Sequence, residues 1–471
     1  MKRYEQLAYE LTTHIHSGLL AKGDRLPSIR TSSLNRNISP STVFQAYYLL
    51  EAQGLITARE RSGYFVTGGP TSGHGELIEP SKGENKVAEV KVSDLVFNII
   101  DSARNQAVIP LGSAFPSPLL FPLKALANTM ASSIKGMDPW TTIKDLSPGD
   151  PELRKQIAIR YVADGIPTSM DEIVITSGAL EGLNLSLDAV TQPGDTVLID
   201  SPTFYASLQA IERSGLRAIE VPCHPRAGLD LSAFEAAVER YKPKACWLMT
   251  SFQNPTGASM PEASKKELVR IITKHQTPLI EDDVYGELYF SKNKPLPAKA
   301  YDKEGWVLHC SSFSKCLAPG FRVGWVSPGR FAKQVERNKL TTSLTASVPA
   351  QQTIAAYLAK GGYDRHLRSL RHTLMVNQLK FIQAVERYFP EGTAWCKPEG
   401  GYFVWLRLPE QADSLALHAM ALAKGISVAP GPMFSANAGF RNFLRLNYGH
   451  GYDDRIENAL KTLGELISTL C

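Results

Sequence analysis

Apolar residues recur with a helical period at the start of the chain. Leu7, Leu11 and Ile15 follow Tyr4 at three- and four-residue spacing, which predicts a helix over Tyr4–Ser17 that Gly18 stops. A second, short helix is predicted to begin at Pro27-Ser28-Ile29-Arg30. A third starts at Ser39, a suitable N-cap, with Pro40 in the first helical position and Val43, Tyr47 and Leu50 on one face before Gly54. Leu55-Ile56-Thr57-Ala58 and Gly63-Tyr64-Phe65-Val66 then read as a hairpin, with Arg59, Glu60, Arg61 and Ser62 between them. Three helices and a two-stranded wing make a compact unit over 1–67.

Periodicity then lapses. Thr67–Lys91 holds Gly68-Gly69-Pro70-Thr71-Ser72-Gly73-His74-Gly75 and a charged run, so a flexible connector is expected over 68–91. Beyond a helical pattern over Val92–Ala107, short apolar runs alternate with helical segments. The runs are Ile173–Thr176, Thr196–Ile199, Ala245–Thr250, Leu279–Ile280 and Trp306–Leu308, which predicts an α/β unit with a mostly parallel sheet covered by helices. This larger unit is expected over 92–330. A smaller C-terminal α/β domain over 331–471 carries strands in 400–406 and 443–448. Within it, Tyr363–Tyr388 reads as a long helix whose Arg365, Arg368, Arg371 and His372 could face DNA, a partner or water, with water the expectation.

With 471 residues, 43% of them hydrophobic, the chain can bury more than one core. A net charge of +5 neither requires nor excludes nucleic acid, so the placement of charge carries the information. The six cysteines are dispersed without a CxxC pair, which predicts reduced thiols and no metal site. No apolar run reaches membrane-spanning length. A soluble, cytoplasmic protein with no membrane partner is expected.

Charge and hydroxyl placement in the first unit suits DNA. A helix-turn-helix sets its second helix in the major groove while cations and hydroxyls hold the phosphates. Ser39, Ser41, Thr42 and Gln45 are the groove-facing candidates; Arg30, Arg36, Arg59 and Arg61 are the backbone candidates. A helical interaction module with solvated arginines is the alternative.

In the larger unit, polar and aromatic residues follow the strands, where open α/β sheets place ligands. A lysine after a buried apolar run, Lys315, needs an explanation, because a buried ammonium is costly unless paired or bonded. A Schiff base with pyridoxal phosphate supplies one. Gly178, Ala179 and Leu180 at a helix start suit a phosphate, joined by Ser312, Ser314 and Arg322. Phe204 could stack on a flat ring, Asn254 and Tyr285 could bond its phenolic oxygen, and Asp282 could pair with its pyridine nitrogen. Singly, each is an ordinary turn or surface residue; the set is the signal.

The first unit resembles the winged-helix domain of the GntR family of transcription regulators. The resemblance rests on Gly23-Asp24-Arg25-Leu26-Pro27-Ser28-Ile29-Arg30, Ser41-Thr42-Val43 with Ala46-Tyr47, Leu50-Glu51-Ala52-Gln53-Gly54-Leu55-Ile56, and Ser62-Gly63-Tyr64-Phe65-Val66. It implies binding to a double-stranded operator. Ser39-Pro40-Ser41 departs from the pattern, since many relatives carry an arginine there. From about Leu111 to Leu470 the chain resembles class I aminotransferases of pyridoxal-phosphate fold type I. That resemblance repeats the roles above and assigns Arg445, which interrupts an apolar strand, to a substrate carboxylate; an inter-domain ion pair is its structural alternative. The two together are similar to the MocR subfamily. They imply a homodimer, with heads that could be swapped across the pair, sensing an amino compound through external aldimine formation at Lys315. A working aminotransferase, and a sensor of pyridoxal phosphate itself, are the alternatives.

Overall fold

The computed structural model describes residues 3–16, 19–52, 54–59, 62–67, 75–81, 86–102, 107–144 and 146–471. Arg61 and the Gly68–His74 part of the connector lie outside them.

At the N-terminus, α1 (Arg3–His16), α2 (Ile29–Arg36) and α3 (Pro40–Ala52) pack with the hairpin β1 (Ile56–Arg59) and β2 (Gly63–Val66). Leu7, Leu11, Ile15, Val43, Tyr47 and Leu50 form its separate core, the face that the helical period marks. Ser28 caps α2 by accepting from the Thr31 amide at 3.1 Å, and Ser39 caps α3 by accepting from the Thr42 amide at 3.2 Å. Gly54, at φ 68°, turns the chain out of α3.

The next two strands, β3 (Gly75–Glu76) and β4 (Val87–Glu89), fall where the sequence predicts a connector. Each instead adds an edge to a sheet of the body. This joining is invisible to periodicity, because two- and three-residue strands carry no pattern.

The main sheet continues with β5 (Val174–Thr176), β6 (Thr196–Ser201), β7 (Arg217–His224), β8 (Gly228–Leu229), β9 (Ala245–Leu248), β10 (Leu279–Asp282), β11 (Val307–Ser312) and β12 (Gly324–Ser327). Its order is β4-β7-β6-β9-β10-β11-β12-β5, with β8 on β7. The pairings from β7 through β11 are parallel, and β12 runs against its neighbours. β9, β10 and β11 are buried throughout; they open on apolar residues, while polar groups gather toward the C-terminal ends of β10 and β11. Their C-terminal ends open onto one crevice.

The smaller sheet holds β13 (Ala394–Trp395), β14 (Phe403–Arg407), β15 (Ala429–Pro430) and β16 (Phe443–Asn447), in the order β15-β16-β14-β13-β3. The helix Gly362–Tyr388 runs beside it and receives α3 of the head. Of the residues predicted to face water there, Arg371 does otherwise, while His372 is exposed but spends one ring face on the head. Arg371 donates to the Glu287 carbonyl at 2.7 Å and its carboxylate at 3.1 Å, and lies over the Tyr289 ring; His372 stacks on Tyr48. Arg365 and Arg368 are exposed as expected. No helix among the described residues is long and apolar enough to cross a membrane.

Candidate functional site

Three strand ends and the turns beyond them build the crevice. Lys315 follows β11, and its Nζ donates to the Ala114 carbonyl at 2.8 Å while lying 3.6 Å from the centroid of the Phe115 ring. No carboxylate pairs with it among the described residues. Burial, with the Arg445 and Arg322 guanidiniums, pulls its ammonium down to about 7. A neutral amine is therefore accessible near neutral pH, as a nucleophile requires.

Asp282 ends β10. Neither carboxylate oxygen has a hydrogen-bond partner among the described residues. Burial, then the neighbouring Asp283, pushes it up to about 7. A buried acid without a donor is unusual enough to demand a function. Tyr285, three residues on, is fully buried between the Tyr402 and Phe403 rings, and burial raises its phenol.

Asn254 follows β9. Its Oδ1 accepts from Arg445 Nη1 at 2.8 Å, and its Nδ2 has no partner among the described residues. Arg445 is wholly buried on β16, donates also to the Gly112 carbonyl at 2.6 Å, and stacks 4.2 Å from the Phe403 ring and 5.2 Å from the Phe434 ring. Its Nε is unpartnered among the described residues, and burial lowers its pKa. The inter-domain ion pair left open by the sequence is not formed among the described residues: Arg445 donates to two neutral acceptors there. A guanidinium so placed could receive an anion, and a carboxylate matches its fork.

A second cationic point lies at the far end of the crevice. Arg322 Nη1 donates to Ser314 Oγ at 3.2 Å, and Ser312 Oγ accepts from the Ser314 amide at 3.3 Å. Gly178, at φ 84°, caps the helix Ala179–Val190; a Cβ there would lie 2.5 Å from Arg322 Nη2. The missing side chain lets the guanidinium approach Gly178 at the start of that helix, where the Ala179 and Leu180 amides could join it in holding a phosphate. Phe204 borders the crevice after β6, packed 4.7 Å from the Tyr205 ring.

Sequence reasoning missed several supports. Buried Asp200 accepts from Thr203 Oγ1 and Gln253 Nε2, each at 2.7 Å, and so ties the Phe204 turn to the Asn254 loop. Burial pushes it up to about 7. Asn447 Nδ2 donates to the carbonyls of Ser113 and Phe115 at 2.9 and 2.7 Å, fixing the loop that meets Lys315. Both sit at strand ends, the one cue available beforehand. On the surface, Glu235, Glu239 and His275 gather three ligand atoms within 4.8 Å, but Lys274 and Arg270 already pair with Glu235.

In the head, Arg30, Ser39, Ser41, Gln45 and Arg59 are exposed, and Thr42 is half-buried. Ser39 Oγ lies 2.8 Å from the hydroxyls of both Ser41 and Thr42. Arg59 lies over the Phe65 ring at 4.5 Å. Arg36 differs: both its terminal nitrogens donate to Glu10, at 2.8 and 2.9 Å, which commits it to holding α2 on α1.

Known proteins match both parts. Residues 3–66 match the model for bacterial regulatory proteins of the gntR family, and residues 124–463 the model for aminotransferases of class I and II. The chain is 45% identical over 467 residues, 99% of each protein, to the HTH-type transcriptional regulator YdcR of Escherichia coli. It is 30% identical over 393 residues to aromatic-amino-acid aminotransferase 1 of Thermococcus litoralis, covering 81% of this chain and 93% of that one. It also superposes on kynurenine aminotransferase of Pyrococcus horikoshii, solved in complex with PMP, with TM-score 0.73 and 30% identity over 80% of this chain and 94% of that one.

Proposed function

Because the chain belongs to the aminotransferase class I and II family and carries a gntR-family head, the MocR-type arrangement, we propose a DNA-binding regulator that senses an amino compound through pyridoxal phosphate held at Lys315. The observation that carries the cofactor reading is the unpartnered, buried Asp282 carboxylate in the same crevice as Lys315.

The residues fit the group. Arg322, Ser312, Ser314 and the Gly178, Ala179 and Leu180 backbone would hold its phosphate. Asp282 would meet its ring nitrogen, a cation that favours the ionised carboxylate. Asn254 and Tyr285 would bond the ring oxygen, and Phe204 would stack on the ring. When bound, pyridoxal phosphate supplies a carbonyl carbon that condenses with amines and a ring that accepts electrons. Lys315 would supply the resident amine and, once displaced, a base near neutral pH. Arg445 would bind the carboxylate of an amino-acid effector.

The sensing reading is supported by continuous contacts from this lysine to the head. The Cys316 carbonyl lies 2.8 Å from His366 Nε2 and its Sγ 3.0 Å from the Tyr363 hydroxyl, both on the helix Gly362–Tyr388. Six residues after His366, His372 touches Tyr48 of α3. A change at Lys315 thus has a physical route to the operator-reading helix. Homodimerisation would follow from the aminotransferase-like body, and the exposed Leu119, Trp140, Ile143 and Val162 would offer it apolar surface. Operator contact would use Arg30, Ser39, Ser41, Thr42, Gln45 and Arg59.

The intact set of Lys315, Asp282 and Arg445 favours a second reading, transamination. One experiment separates them: purified protein and Lys315→Ala are titrated with pyridoxal phosphate and then with amines and amino acids, following absorbance and operator affinity together. A lysine-dependent band that shifts with one compound and moves operator affinity supports sensing. Release of a keto acid supports transamination, and the absence of any band overturns both.

A further inference from the structure

Behind Asp282 lies a row of buried polar groups that the cofactor reading leaves unused. Trp325 Nε1 donates to the Tyr161 oxygen at 3.0 Å. The Tyr161 hydroxyl lies 2.6 Å from His309 Nδ1, and His309 Nε2 lies 3.2 Å from Asp283 Oδ2. Four elements contribute: the helix Pro151–Ala163, β12, β11 and the turn after β10.

The two ends together give the row a direction. An indole N–H can only donate, so the Tyr161 oxygen accepts from it. A carboxylate can only accept, so a neutral His309 turns its N–H to Asp283 and its bare Nδ1 accepts from the Tyr161 hydroxyl. His309 then carries its proton on Nε2 and gives it to Asp283. The Asp283 carboxylate fits against the bare backbone of Gly286, where a Cβ would lie 2.4 Å from Oδ2. Its amide donates to the Cys310 carbonyl at 2.9 Å, and Ser311 Oγ donates to its carbonyl at 2.9 Å. Successive side chains in extended backbone point to opposite faces, so Asp282 looks into the crevice and Asp283 away from it.

Tyr161, His309 and Asp283 line a cavity shared with Arg160, Asp164, Glu287 and Lys294, and those other charges satisfy one another. Glu287 receives Arg160, Lys294 and Arg371, Asp164 receives Lys294, and Asp364 receives Arg160. Cys316 and Tyr363 on the same wall pair with each other. Among the described residues, His309 is therefore the donor available to Asp283 Oδ2.

We propose that Trp325, Tyr161 and His309 form a positioning relay that holds Asp283 as an acceptor turned from the crevice, leaving the Asp282 carboxylate free for the cofactor's ring nitrogen. This rests on the pyridoxal-phosphate reading. Without the imidazole donor, Asp283 is a buried, unpaired carboxylate beside Asp282, and it either takes a proton or swings; each changes the field at Asp282.

Two measurements test it. In cofactor-free protein, nitrogen-15 NMR of the histidines should show His309 in the Nε2–H tautomer, and Tyr161→Phe should mix the tautomers. With pyridoxal phosphate added, the pH midpoint of the bound cofactor's absorbance should move by roughly half a unit or more in His309→Leu. It should return toward wild type in His309→Gln, whose amide keeps a donor. Should His309→Leu fail to fold, Tyr161→Phe, which removes one oxygen, should shift the same midpoint. A wild-type Nδ1–H tautomer overturns the relay, and so do superposable absorbance titrations across the variants. Absence of any cofactor band in wild type overturns the cofactor reading instead, so the two failures are distinct.

Discussion

His372 stacks on Tyr48 with ring centroids 4.3 Å apart and planes 17° from parallel, joining the aminotransferase-like body to α3 of the head. The Tyr48 hydroxyl is buried without a partner among the described residues, so the ring contributes contact and the oxygen only a desolvation cost. Such a stack stabilises by about 0.5–1.5 kcal/mol. Tyr48→Ala should uncouple operator affinity from added amine while leaving the cofactor spectrum unchanged; Tyr48→Phe should preserve coupling. Fluorescence anisotropy on labelled operator, with and without the amine, measures both. Equal amine dependence in Tyr48→Ala and wild type would remove this contact from the signalling route.

Lys315 bears on stability as well as chemistry. Its folded value of about 7 lies below its usual 10.5, so between those values the unfolded chain holds a proton that the folded chain lacks. Stability from this group therefore rises with pH across that window, and the cost of the buried ammonium is complete below it. Lys315→Met should raise the melting temperature of cofactor-free protein on the order of 2–4 °C near pH 6, fading toward pH 10. Calorimetry across that range decides. A melting temperature lowered at every pH would mean that the Ala114 contact outweighs the buried charge.

On the proposed reading, Arg445 would sort ligands by their carboxylate. Arg445→Lys retains the charge but loses the planar fork that reaches Asn254 and Gly112 together. Affinity for amino acids should fall about 10- to 100-fold, consistent with the 1.5–3 kcal/mol of a charged hydrogen bond. Simple amines lacking a carboxylate should bind the variant as they bind wild type. The spectral titration reads both series side by side, and equal losses would place the carboxylate elsewhere.

The parts of this site legible in the sequence are those whose chemistry is out of place locally. Lys315 after an apolar run, Asp282 at a strand end and Arg445 inside a strand each contradict their surroundings, and each lies in the crevice. His309 offers no such contradiction. Its meaning depends on the β10–β11 register, which sets Glu281 opposite His309, and on Tyr161, 148 positions away. Val87–Glu89 was equally hidden, since its role is to edge β7 rather than to bury a face. His372 is a polar residue on a basic helix until α3 is laid against it. Long-range pairing supplies all three meanings, and no local period encodes it.

Glu287 shows how much of the body's acid stability rests on one such long-range hub. It accepts from Arg160 at 2.9 Å, from Lys294 at 3.1 Å and from Arg371 Nη2 at 3.1 Å, so three cations converge on one carboxylate. Burial opposes its charge, but Lys294 and Arg160 outweigh it and hold the acid down to about 2. A depressed acid stabilises the fold fully above its unfolded value and loses that contribution as pH falls through its folded value. Glu287→Gln leaves the cations together without their shared anion, and should cost about 3–5 kcal/mol at pH 7. Since the wild-type advantage disappears as Glu287 itself protonates, denaturant unfolding curves of the two proteins should converge from pH 5 toward pH 2. A gap unchanged across that range would show that the variant loses hydrogen-bond geometry at the side chain rather than charge, since the Arg371 contact with the backbone carbonyl of Glu287 is common to both proteins.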